Sequence, residues 1–151
     1  GRMAGWVAEE IKARGLEACV SMLGRYPVER MPSFFKHADA LLVSLKDEPI
    51  FTLTIPGKLQ SYLAAGIPVL AMLNGEGADV IRNANVGFAC PAGDAKQLAQ
   101  AVLEMAAMSK DDRQQLGKNG CAYAQKEFNR EALMDRLENW FVELVNTSRQ
   151  Q

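Results

Sequence analysis

The chain has 151 residues, a length that fits one domain able to bury a core without disulfides. A formal charge of −1 and a pI near 5.9 leave no basic field for wrapping nucleic acid. No run of about 18 apolar residues offers a membrane span. The three cysteines, Cys19, Cys90 and Cys121, are odd in number and widely spaced. That pattern fits neither a disulfide framework nor paired zinc ligands, so two or three buried thiols and no metal site are expected. Residues 1–6 contain no signal-peptide core, which points to the cytoplasm.

Taken in order, Ala4 to Arg14 reads as a helix with Trp6, Val7, Ala8 and Ile11 inward and Glu9, Glu10, Lys12 and Arg14 outward, closed by Gly15. A crossover helix normally follows a strand, so a chain starting on one reads as a piece of something longer. Ala18 to Leu23 reads as a strand ending at Gly24-Arg25, and Glu29 to His37 as a helix with Met31, Phe34 and Phe35 inward. His37, the only histidine, sits at the end of that apolar helix and reads as structural. Asp39 opens Ala40 to Ser44, apolar enough for a strand covered on both faces. Leu45 to Ile55 shows no period. It is expected as a loop at the carboxyl end of a strand, where ligands bind in open α/β sheets, with Lys46, Asp47 and Glu48 as a charged lip.

Pro56 to Ala71 packs a loop, a helix and a strand into sixteen residues. Pro56 suits the first helical position, and Gly66 and Pro68 end the helix and launch Val69-Leu70-Ala71. Leu59, Tyr62 and Leu63 make one apolar face, while Lys58 and Ser61 share an adjoining one. A cation in the first turn opposes the helix dipole, at a cost of about 0.3–1 kcal/mol unless an anion is near. Free N–H groups, the dipole and the Lys58 ammonium would together suit a phosphate; the alternative is a solvated lysine. Asn74-Gly75-Glu76-Gly77 is a second strand-to-helix turn on the same edge, opening a helix from Ala78 to Ala84. Val86 to Cys90 reads as a short strand, and Asp94 as an N-cap. From Ala95 the chain is helical, with Leu98, Ala101, Val102 and Met105, then Leu116, Tyr123 and Phe128, then Leu133, Leu137, Trp140, Phe141 and Leu144 as core stripes. Gly117 and Gly120 inside the middle helix point to close helix packing. Asn129 suits an N-cap.

The succession LGR…P, FFKHADALLVS, PGKLQSYLAAGIPV, NGE and VGFACPAGD resembles the C-terminal half of bacterial family 4 glycosyltransferases of the GT-B fold, over nearly the whole chain. Within that family it is most similar to O-antigen and exopolysaccharide enzymes such as N-acetyl-L-fucosamine transferases. The resemblance implies an α/β, three-layer Rossmann-like domain with a mostly parallel sheet over 1–128, and a helix over 129–151 that crosses back to an N-terminal acceptor domain. Without that domain, part of the last apolar stripe would be exposed and prone to self-association.

The function implied is retaining transfer without a metal or cofactor, from a nucleoside-diphosphate sugar, expected as UDP-linked, to a lipid-linked or saccharide acceptor at the inner membrane. This chain alone is expected to catalyse little. Pro56, Gly57, Lys58, Ser61, Tyr62, Asn74, Gly75 and Glu76 would bind the donor. Lys58 and Arg25 would stabilise the leaving diphosphate, with Lys46 a weaker candidate, and Glu48 would meet the sugar. Ser61 stands where the family usually has a glutamate on the ribose; one hydroxyl replaces a carboxylate that accepts two charge-assisted bonds, and Gln60 or Glu76 could compensate. Two other classes fit less well. A nucleotide-sugar epimerase of this fold needs an acid–base pair, and a receiver-like interaction module needs a phosphoacceptor Asp at a strand's end, where Ser44 stands.

Overall fold

Four successive apolar residues, Val69-Leu70-Ala71-Met72, mark a strand covered on both faces. In the computed structural model, which describes residues 3–148, they form the middle strand of a parallel sheet. Its order is β1 (Leu41–Ser44), β2 (Val69–Met72), β3 (Gly87–Cys90). Leu41 lies opposite Val69, and Val69 opposite Gly87. Helices α3 (Pro49–Thr52) and α4 (Gly57–Ala64) connect β1 to β2, and α5 (Glu76–Asn83) connects β2 to β3. Three helices follow: α6 (Ala95–Ala107), α7 (Lys110–Glu127) and α8 (Arg130–Ser148).

Alternation along β2 divides the core. Val69 and Ala71 join Val43, Leu59, Leu63 and Ile81 on one face, whereas Leu70 joins Ala101, Met105 and Leu116 on the other. The sheet is thus the middle of three layers, as expected of a Rossmann-like α/β domain. These elements belong to a compact unit beginning at Pro32; residues up to Met31 form a second unit. In that unit α1 (Ala4–Ala13) is closed by Gly15 at φ +64°, and Ile11 is its one buried residue among those described. Trp6 and Ala8, expected inward, are exposed.

Helix α4 meets α7 through glycine. A Cβ on Gly117 would lie 2.0 Å from the Gly66 carbonyl oxygen, and one on Gly120 would lie 3.3 Å from the Leu63 carbonyl oxygen. Gly66, at φ +69°, supplies the left-handed turn that ends α4. The close packing expected of Gly117 and Gly120 is therefore backbone against backbone.

Several expectations are corrected. Ala18–Leu23 forms no strand: the N–H groups of Cys19 and Val20 turn back onto the Leu16 carbonyl, and Val20, Met22 and Leu23 are exposed. Of the helix expected from Glu29 to His37, only α2 (Met31–Phe35) is α-helical, after a 3₁₀ turn at Val28–Arg30. An α-helix begun at Glu29 would press the Pro32 ring onto the residue 28 carbonyl. The loop after β1 contains a helical turn, α3, because Pro49 at its first position is pre-set for helix. β1 is covered on one face only, with Val43 buried and Leu42 half exposed. Finally, no residue of α8 is buried, so its stripe is not core; Trp140 is 60% exposed.

Gly117→Ala removes a helix-interior glycine, a gain of about 1 kcal/mol in isolation. It also drives a methyl into the Gly66 carbonyl, and overpacking of this kind costs about 1–3 kcal/mol or more. The expected outcome is a lower urea midpoint for Gly117→Ala and a smaller change for Gly120→Ala.

Candidate functional site

All strands of a parallel sheet end on one edge, so the loops after β1, β2 and β3 gather there. Asn74 ties the three together. Its side-chain N–H donates to Asp47 Oδ1 at 2.8 Å, and its Oδ1 accepts from the Ala92 N–H at 3.1 Å. Gly75, at φ +71°, lets the backbone approach Thr52 so closely that a Cβ would sit 2.0 Å from the Thr52 carbonyl oxygen. A Cβ on Gly77 would come 3.2 Å from Cδ of Pro56. These contacts set the amino ends of α4 and α5 side by side.

The helices on this edge differ in how their first N–H groups are satisfied. At α6 the Asp94 carboxylate accepts from the Gln97 N–H at 2.9 Å and from the Gln97 side chain at 2.8 Å. The backbone bond above all, then the side-chain bond, holds the Asp94 pKa below the usual carboxylate value. Among the described residues no side chain caps α4 or α5. The carbonyl of Pro56 accepts from Leu59 and Gln60 further along, which leaves the N–H groups of Gly57 and Lys58 as the first orphans of α4. Its first turn carries no acid, and Lys58 is exposed with no ion pair among the described residues. In α5, Glu76 and Asp79 already face the dipole, and Asp79 pairs with Arg82 at 2.9 Å.

The edge therefore brings together Glu48, Pro56, Gly57, Lys58, Asn74, Gly75 and Glu76. Glu48 is exposed and precedes α3, and Pro56 is the N-cap of α4 rather than its first helical residue. Asn74 is occupied as a strut, with both ends of its amide bonded. Ser61 and Tyr62 lie further along α4. The Ser61 hydroxyl donates back to the Gly57 carbonyl at 3.2 Å and lines a cavity of about 450 Å³ between α4 and α7 with Gln60, Cys121, Gln125 and Phe128. The Tyr62 ring packs edge-on against Phe35 at 5.5 Å, and burial pushes its phenol pKa up. Arg25 is exposed in the coil of the other unit, so the strand expected to carry it does not form.

Sequence reasoning missed Asp47 as the partner of Asn74, and the α7 wall beside Ser61. The second had a signal: positions 121, 125 and 128 share one helical face, and Gly117 and Gly120 mark where α7 comes close. The thiols differ from expectation, since only Cys90 is buried while Cys19 and Cys121 are exposed. Cys90 donates to the Ala71 carbonyl at 3.2 Å; burial, and secondarily the Asp94 charge, pushes its pKa up.

A parallel sheet with helices on both faces, presenting helix amino ends on its carboxyl edge, defines a Rossmann-like α/β domain. The family described as Glycosyl transferases group 1 matches residues 1–108, and the chain belongs to that family. Comparison with curated proteins and with solved structures found no match. No helix among the described residues is long and apolar enough to cross a membrane.

Two measurements check this description. Titration of the native chain with a thiol reagent at neutral pH should modify Cys19 and Cys121 rapidly and leave Cys90 protected until unfolding. Because the folded Asp94 pKa is depressed, its stabilisation is fully present above the unfolded value of about 3.9 and is lost as pH falls through the lower folded value. The stability gap between the parent chain and Asp94→Asn should accordingly close on acidification below about pH 4.

Proposed function

We propose that this chain is the donor-binding domain, the C-terminal half, of a retaining GT-B glycosyltransferase. In this reading it holds a nucleoside-diphosphate sugar, UDP-linked, for transfer to a lipid-linked or saccharide acceptor in cell-surface polysaccharide synthesis in the cytoplasm. The observation that carries the reading is the amino end of α4: among the described residues it has no side-chain cap, no acid in its first turn, and no ion pair to Lys58. A side-chain cap occupies one of the orphan N–H groups and the space over the helix end, whereas this helix leaves both open to an anion.

The chemistry follows from charge. Glycosyl transfer leaves negative charge on the departing diphosphate, and groups fixed in place before the reaction stabilise it most effectively. The N–H groups of Gly57 and Lys58, the α4 dipole and the Lys58 ammonium would meet that charge, while Glu48 faces the sugar. The acceptor is held by a separate N-terminal domain, so this chain alone binds donor and transfers little. The exposed stripe on α8 supports a helix that covers another protein surface, that domain or a second copy.

Calorimetric titration with UDP, GDP and pyrophosphate tests the reading. UDP should bind most tightly, and Lys58→Ala should weaken it at least tenfold. UDP binding that is unchanged in Lys58→Ala would remove α4 from the site.

A further inference from the structure

The opposite, amino edge of the sheet carries a cavity whose lining has more basic than acidic side chains and which the donor site does not use; Asp111 and Asp112, in the first turn of α7, are not on that lining. Asp39 precedes β1 and Pro68 precedes β2; beside them a cavity of about 440 Å³ is lined by Lys36, Asp39, Lys110 and Arg113. Lys36 and Lys110 are exposed and have no ion pair among the described residues. Arg113 is held in place: its guanidinium donates to the Met108 carbonyl at 2.6 Å, and its side chain is only 22% exposed. Asp39 is the one acid on the lining, and it is a weak neutraliser, 3.6 Å from Arg113 with a side chain 90% exposed. Three cations against one solvated carboxylate leave two positive charges facing one cavity, in a chain whose own net charge is −1.

A second cavity, of about 300 Å³, adjoins the first and shares Asp39 and Arg113 with it. The rest of its wall is apolar: Ala40, Leu70, Val102, Met105 and Ala106. A polar chamber with excess positive charge beside an apolar chamber, with a fixed guanidinium between them, matches a ligand that carries an anionic head on a short hydrocarbon body. Guanidinium and ammonium groups together favour a phosphate oxyanion.

From these adjoining chambers we infer that the amino edge is a binding site for an organic phosphate monoester, with the phosphate among Lys36, Lys110 and Arg113 and the apolar part against Leu70 and Met105. The site is independent of the donor reading, since it shares no residue with Lys58 and its surroundings. A free metabolite or the headgroup region of a phospholipid could supply this chemistry.

The test uses the 151-residue chain and hexyl phosphate as probe. Hexyl phosphate should bind saturably, at least tenfold more tightly than inorganic phosphate, because the alkyl chain reaches the apolar chamber. The double variant Lys36→Ala/Lys110→Ala should weaken it at least tenfold; both side chains are exposed, so the fold is retained. Lys58→Ala should leave it unchanged, which separates this site from the donor site. Absence of saturable binding, equal affinity for hexyl phosphate and inorganic phosphate, or loss in Lys58→Ala instead of the double variant would overturn the inference. Given hexyl phosphate binding, sedimentation with vesicles containing phosphatidic acid assigns the source. Binding lost in the double variant identifies a lipid, and no binding identifies a soluble ester.

Discussion

Two backbones touch where α7 crosses the end of α4, and much of the unit beginning at Pro32 depends on that contact. With no side chain on Gly117, the helix surface rests on the Gly66 carbonyl itself. Gly66 is also the residue whose left-handed turn stops α4 and hands the chain to Pro68 and β2. One point therefore sets where α4 ends, how it is rotated and how the middle strand begins. Given that rotation, Leu59 and Leu63 fall fully inward, and Pro56 arrives beside Gly77 at the opposite end of the helix. The exposure of Lys58 at the carboxyl edge follows from a constraint eight residues away.

The two ends of the sheet are finished in different ways. At the carboxyl edge, Asn74 braces three loops, and the helix starts are unequal: α6 gives the Gln97 N–H to Asp94, whereas among the described residues α4 has no side-chain cap. At the amino edge the positive charge sits on side chains, because Ser109 accepts from the Asp112 N–H and so caps the nearby start of α7. Charge presented by backbone is fixed by the helix that carries it. Charge presented by lysine is adjustable, and only Arg113 is pinned there.

What could be read from the residues was mostly local. The Pro56, Gly66 and Pro68 signals bounded α4 to within a residue, since each acts on its own φ or N–H. Asp94, Asn129 and the paired glycines of α7 were legible for the same reason. Ala18–Leu23 was misread because an apolar run satisfies a strand pattern without stating whether its N–H groups have a ladder to join; here they bond to Leu16. The α8 stripe was read as core from its period alone, which shows that an apolar face exists and not what covers it; the exposure of part of it, expected from the resemblance, is what the structure has. At the site, Lys58 stood out by its conflict with the dipole. The Asn74–Asp47 bond spans 27 positions and involves common surface residues, so nothing nearby in the chain announces it.

The exposure of α8 has a consequence for how order is distributed along the chain. A helix with no buried residue is held by its own ladder and by its cap, Asn129 on the Ala132 N–H. In proteins most helical stability comes from packing of an apolar face, and no residue of α8 is buried. Amide hydrogens in α8 therefore exchange through local helix–coil opening, while those of β2 wait for the sheet to open. Helix α8 is thus a conditional element, one to which a surface burying Trp140 and Leu144 would add the packing it lacks.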